Sequence, residues 1–171
     1  MAITSKRPGR FLSNHAVTVA LATVAVMFIL TACHRKPLIA HARFVNLPVA
    51  GWQRTMPLTF TPEYDDSTMN YTLTLAVRHD NAYPYRNLTM MVDIIAEDST
   101  VTRNTIDMDL ADEYGNWTGG GFGTLYQTQV KLIQSASPAS ARSLVVWQAM
   151  DNCDTLRGLV NLGIIASPCR R

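Results

Sequence analysis

The chain has 171 residues, with 15 Lys and Arg against 13 Asp and Glu and a formal charge of +2. No basic face is concentrated enough to hold nucleic acid, which announces itself by clustered Lys and Arg. The small positive excess belongs to the N-terminus. Lys6, Arg7 and Arg10 precede Ala16 to Leu30, a run free of charge, and Leu30-Thr31-Ala32-Cys33 closes it.

A basic n-region, an apolar h-region and small residues before a cut make a secretory leader over residues 1–32. The cysteine directly after Leu-Thr-Ala makes that cut a lipobox. Cys33 is therefore expected to become the acylated first residue of the mature protein, held in a membrane by diacylglycerol and acyl chains. A transmembrane helix is the rival reading. It needs about 20 apolar residues to cross a ~30 Å hydrocarbon core, whereas here His34-Arg35-Lys36 follow at once. Losing the leader removes three basic residues and no acid, which leaves 12 against 13. What remains suffices for one domain with a core and not for two.

Two cysteines are left after Cys33, namely Cys153 and Cys169. In an oxidising envelope compartment an isolated pair points to a disulfide. Its loop would stabilise by roughly 3 kcal/mol in the chain-entropy picture. Two unpaired thiols are the alternative.

Residues 33–50 read as a tether, with Pro37, Pro48 and a short apolar Phe44-Val45 pair suited to an edge strand. From Gly51 to Arg171 strand signals follow one another. Met56 to Thr61 lies between prolines, as an edge strand does. Tyr71, Leu73, Leu75 and Val77 alternate with Thr72, Thr74, Ala76 and Arg78, the period-two pattern of a half-buried strand. Asp80 to Asn87 breaks it with turn residues. Leu88, Met90, Val92 and Ile94 then share a face, as do Ile106, Met108 and Leu110, so that these three strands read as a meander. Residues 112–123 are irregular and hold five glycines. Thr124 to Ile133 resumes strand character, Leu144 to Trp147 reads as a central strand covered on both faces, and Val160 to Ala166 reads as the last. About eight strands without a convincing amphipathic helix predict an all-β, antiparallel β-sandwich of Ig-like or jelly-roll type.

Catalytic side chains are scarce in this domain. His79 is its one histidine beyond the tether, on the inward side of its strand, and reads as a core-edge residue with one hydrogen-bond partner. Asp107, Asp109, Asp112 and Glu113 cluster, and carboxylates of that density can begin a Ca²⁺ site. An EF-hand is excluded because Asp112 stands where its glycine must be. Solvent-facing strand positions for Asp107 and Asp109 and a turn at Asp112 explain the cluster better, and no metal or cofactor is assigned. The glycine run 119–123 lacks the Gly-Lys-Ser/Thr ending of a phosphate loop. Trp117, Phe122 and Tyr126 beside it offer either sugar-stacking faces or a packing anchor. Asp66-Ser67-Thr68, Asp98-Ser99-Thr100 and Asp154-Thr155-Leu156 look like an Asp-Ser/Thr pattern O-glycosylated on bacterial envelope proteins. Ser67, Ser99 and Thr155 are thus candidate glycan acceptors.

One set of motifs reaches further. Arg78-His79-Asp80-Asn81-Ala82-Tyr83-Pro84-Tyr85-Arg86-Asn87-Leu88 resembles a segment of the gliding-motility lipoprotein GldH family of the Bacteroidetes. Gly51-Trp52, the loop from Ala111-Asp112 through Gly115-Asn116-Trp117-Thr118-Gly119-Gly120-Gly121, and Gln148-Ala149-Met150 with Leu156, Gly158 and Gly163-Ile164 agree with it in order. The resemblance spans about residues 44–167. It implies a lipid-anchored envelope protein without catalytic residues, associated with gliding machinery and type IX secretion. His34 after the cysteine, in place of Asp, points to the outer membrane, facing the periplasm. Tyr83-Pro84-Tyr85 is then either a structural cap or a partner-binding tip. A carbohydrate-binding sandwich is the runner-up reading, and a metal-dependent hydrolase a distant third.

Overall fold

The computed structural model describes residues 40–169. The leader, the lipobox and Cys33 lie outside them. Eleven strands form in chain order: β1 (His41–Asn46), β2 (Trp52–Gln53), β3 (Leu58–Phe60), β4 (Tyr71–His79), β5 (Asn87–Ile95), β6 (Val101–Asp109), β7 (Gly120–Phe122), β8 (Leu125–Ala136), β9 (Ser143–Gln148), β10 (Thr155–Leu156) and β11 (Leu159–Pro168). One sheet has the order β1-β11-β4-β8-β7 and the other β3-β9-β5-β6, while β10 and β2 make a small ribbon. Among the described residues no helix is long and apolar enough to cross a membrane.

Setting aside the short β2, β7 and β10, the antiparallel pairs β1·β11, β3·β9, β4·β8 and β5·β6 nest inside one another. They amount to one long hairpin whose innermost turn joins β5 to β6. The hairpin is rolled until β11 also pairs β4 and β9 also pairs β5. That is the jelly-roll solution, and it decides between the two sandwich types. Tyr71, Leu73, Leu75 and Val77 of β4 face Leu88, Met90, Val92 and Ile94 of β5 across the core, none more than 6% exposed. Each such side chain contributes about 1.5–3 kcal/mol relative to exposure.

Several expectations change. β4 and β5 belong to different sheets, so that residues 71–110 are not a meander: Asp80 to Arg86 carries the chain over the end of the sandwich. The tether is shorter than 33–50, because His41–Asn46 pairs residue by residue with Ala166–Asn161. Phe44 explains the pairing, since its ring covers Gly163, where any added Cβ would lie 2.5 Å from it. β9 is central but covered on one face: Leu144, Val146 and Gln148 are buried, and Val145 and Trp147 only half so. Cys153 and Cys169 are both free. The Cys153 thiol reaches the Thr155 carbonyl, before β11, and the Cys169 thiol reaches Gln134 O beyond it. Ten residues of β11 at about 3.3 Å each separate those regions, against the ~7 Å between Cα atoms that a disulfide tolerates.

The two ends of the roll differ. The chain enters at His41, which lies level with Ala166 and Leu73 near the start of β4. The connections β1–β3, β4–β5, β6–β8 and β9–β11 all gather at the opposite end, about 30 Å away along a nine-residue strand.

Candidate functional site

At that far end the chain must turn four times, and each turn has a local cause. Asp80 opens the first, its carboxylate accepting the Ala82 amide at 2.8 Å and its carbonyl the Tyr83 amide at 3.2 Å. Pro84 biases Tyr83 toward extended geometry, which sends the Tyr83 ring inward. Tyr83 is 2% exposed, and its hydroxyl donates to Asn87 O at 2.7 Å. Burial raises its pKa well above that of a free tyrosine. Tyr85 points outward and stacks edge-on against Tyr83 at 5.8 Å.

The second turn is Asp112 to Asn116. The Asp112 carboxylate accepts the Tyr114 and Asn116 amides at 2.9 and 2.8 Å and the Asn116 side chain at 2.9 Å. Those donors hold its pKa below the usual carboxylate range, the Asn116 side chain most of all. Gly115 supplies the positive φ of +85° that closes it. Trp117 is thereby swung back over β4, with its indole N–H donating to Asn81 at 3.1 Å.

His79 sits where these turns meet. It is fully buried, 4.5 Å from the Trp117 ring, 5.6 Å from Tyr126 and 5.7 Å from Tyr83. Nδ1 lies 3.2 Å from the Asp80 carbonyl, while Nε2 is buried with no hydrogen-bond partner among the described residues. Burial depresses its pKa, so that the imidazole is neutral here. The histidine thus takes the core-edge place expected of it. Trp117 and Tyr126 act as packing around it, and Phe122 stays outside, 95% exposed.

The C-terminal motif completes the end. Gly158 has φ +81°, and a Cβ there would lie 2.3 Å from the Tyr83 amide nitrogen. Gln148 is buried and clamps the following loop, accepting from the Met150 amide and donating to Cys153 O. Arg54 donates to the Met150 carbonyl and to Cys153 O from beside Trp52. Trp52, also fully buried, pairs with Leu156 and donates to Met56 O at 2.7 Å. Apart from Gly163-Ile164, midway along β11 opposite Ala76 and Leu75, the segments that carried the resemblance, far apart in sequence, therefore converge on one end.

Other singled-out residues take structural places. Asp107 is occupied by Asn87 and Thr89 donors at 2.7 and 3.0 Å. Among the described residues no three His, Cys, Asp or Glu side chains gather as a metal site would need. Ser67 and Ser99 are exposed within tight turns that Asp66 and Asp98 hold by accepting the Thr68 and Thr100 amides. Thr155 is exposed on β10. Cys153 packs beside Tyr85 and raises the pKa of that hydroxyl by hydrogen bonding. Sequence reasoning missed Tyr114, which is 82% exposed. An aromatic residue inside the polar turn Asp112 to Asn116 was the available signal.

Comparison with known proteins identifies the family. The sequence profile described as GldH lipoprotein matches residues 41–165. The "Gliding motility lipoprotein GldH homolog" of Christiangramia forsetii is 27% identical over 124 residues, 66% of this chain and 74% of that protein. The "Gliding motility lipoprotein GldH" of Flavobacterium johnsoniae is 26% identical over 102 residues, 60% of this chain and 62% of that protein. Among solved structures, a nora virus chain overlaps 76% of this one and 54% of itself, with a TM-score of 0.32 and 15% identity. The profile covers β1 through most of β11, and on that match the chain belongs to the GldH lipoprotein family.

Proposed function

We propose that this chain is a non-enzymatic envelope lipoprotein, anchored through Cys33, that docks onto gliding and type IX secretion components by the far end of its jelly roll. One observation carries the reading. All of the family's motif segments but Gly163-Ile164 build a single aromatic-rich end, opposite the point where the chain enters the fold, with Tyr85 and Tyr114 exposed on it. An interior ring cluster of His79, Tyr83, Trp117 and Tyr126 fixes the shape of that end, and exposed tyrosines on a rigid base are what interface anchors require. We place the anchor in the outer membrane, on the periplasmic side.

The test is affinity capture of the tagged lipoprotein from its own envelope, comparing wild type with the Tyr85→Ala/Tyr114→Ala double variant. Loss of the captured envelope partners with an unchanged melting temperature supports docking by this end. Retention of the same partners at wild-type yield refutes it. Cys33→Ser tests the anchor separately: a variant that still pellets with membranes and still functions removes that part of the reading.

A further inference from the structure

A second feature lies on the outer face of the β1-β11-β4-β8-β7 sheet, beside the docking end. An open groove of about 730 Å³ runs beside the β7–β8 hairpin, lined by Arg78, Gln127, Gln129, Thr128, Phe122 and the glycine run. Arg78 is the one charged residue lining it. Its guanidinium stacks 4.0 Å over the Phe44 ring, and its Nε–H donates to Gln127 Oε1 at 2.7 Å. Two contacts thus fix the orientation of the fork. The ion pairs among the described residues do not include it, which leaves its terminal nitrogens free to take a ligand.

The glycines say why the groove is open. A Cβ at Gly119 would lie 2.6 Å from Gln127 O and one at Gly121 2.5 Å from Leu125 O, so close backbone packing requires both. Gly115, Gly123, Gly51 and Gly158 have positive φ, and Gly163 lies under Phe44. Gly120 alone among the described glycines has neither reason: its φ is ordinary and a Cβ there meets nothing within 4 Å. It pairs with Gln127, on the same sheet face. A glycine costs strand stability relative to a residue with a side chain, and what its bareness provides here is space in the groove.

We propose that this groove binds a carboxylate-bearing sugar, with Arg78 forking onto the carboxylate, Gln127 and Gln129 meeting hydroxyls, and the exposed Phe122 ring lying against a pyranose face. A fixed guanidinium binds carboxylate in bidentate fashion. Side-chain amides beside a bare aromatic ring suit a polyhydroxylated ring better than an apolar ligand. The volume is that of a small-ligand site.

The test uses the full-length lipoprotein in detergent, titrated calorimetrically with oligogalacturonate and alginate oligomers and, as the neutral control, galactotetraose. Binding of an acidic oligomer, at least tenfold weaker binding of galactotetraose, and a roughly tenfold or greater loss in Arg78→Gln support the proposal. Gly120→Val keeps the test valid if Arg78→Gln folds poorly. It fits the strand, should leave the melting temperature equal or higher, and should abolish binding by filling the groove. Absence of binding by both acidic oligomers at millimolar concentration overturns the proposal. So does equal binding of the neutral control, or binding that survives Gly120→Val. Tighter binding of a free-carboxylate peptide than of either sugar, lost on amidation of its C-terminus, assigns the groove to a peptide instead and also overturns it.

Discussion

Replacing Gly158 by alanine tests whether the far end is held together as described. Two costs add. At φ +81° an alanine sits in the left-handed region, which is worth about 1–2 kcal/mol. Its Cβ would also lie 2.3 Å from the Tyr83 nitrogen and 2.4 Å from its Cα, more than 1 Å inside ordinary contact. The backbone of the Tyr83-Pro84-Tyr85 turn must move to relieve this. That strains the bond from the Asp80 amide to Gly158 O, 3.0 Å long, and the packing of Tyr83 on His79. Overpacking of this kind adds about 1–3 kcal/mol, so the total is about 2–5 kcal/mol. For a domain of this size each kcal/mol moves the melting temperature by roughly 3–5 °C, and a fall of about 6–25 °C is expected by circular dichroism. Two sister variants isolate the terms. Gly115→Ala has the same positive φ with open space around it, and should lose only about 1–2 kcal/mol. Gly120→Ala has neither term and should be neutral or stabilising by up to about 1 kcal/mol. If Gly158→Ala melts within a few degrees of Gly115→Ala, the close approach of the two loops is not what the geometry says.

His79 gives a pH prediction. Its folded pKa lies below the ~6.5 of the unfolded chain, so the unfolded state binds the extra proton and stability must fall as pH drops from about 7 through that depressed value. His79→Phe should flatten the decline in denaturant midpoint between about pH 7 and pH 5, and an unchanged slope refutes the assignment. Trp52→Ala removes a fully buried indole and its bond to Met56 O, with an expected loss of about 3–5 kcal/mol in urea unfolding; a loss under 1 kcal/mol contradicts the packing. Because Cys153 and Cys169 are free, a reducing agent should leave the melting temperature unchanged. Both thiols should react with a labelling reagent once the chain unfolds, and a fall of several degrees on reduction would restore the disulfide.

What was legible in the chain was local. Period-two alternation at Tyr71–Val77 and Leu88–Ile94 marks strands because successive side chains point to opposite faces, and those residues do line the core. Asp80 and Pro84 mark a turn, and the motifs around Gly51-Trp52, Tyr83-Pro84-Tyr85 and Trp117 mark the family. Sheet membership was not legible. The pattern of β4 looks the same whether its neighbour is β5 or β8 and β11, and the pairing His41↔Ala166 spans most of the domain. Burial then decided roles that residue type could not: Trp117 and Tyr126 turned inward onto His79, Phe122 stayed out, and the cysteines were parted by β11. Arg78 reads from sequence as an ordinary outward strand residue, and Gly120 as one of a loop's many glycines. The tertiary structure set them on one groove, because partners separated by tens of residues become neighbours only when the hairpin is rolled.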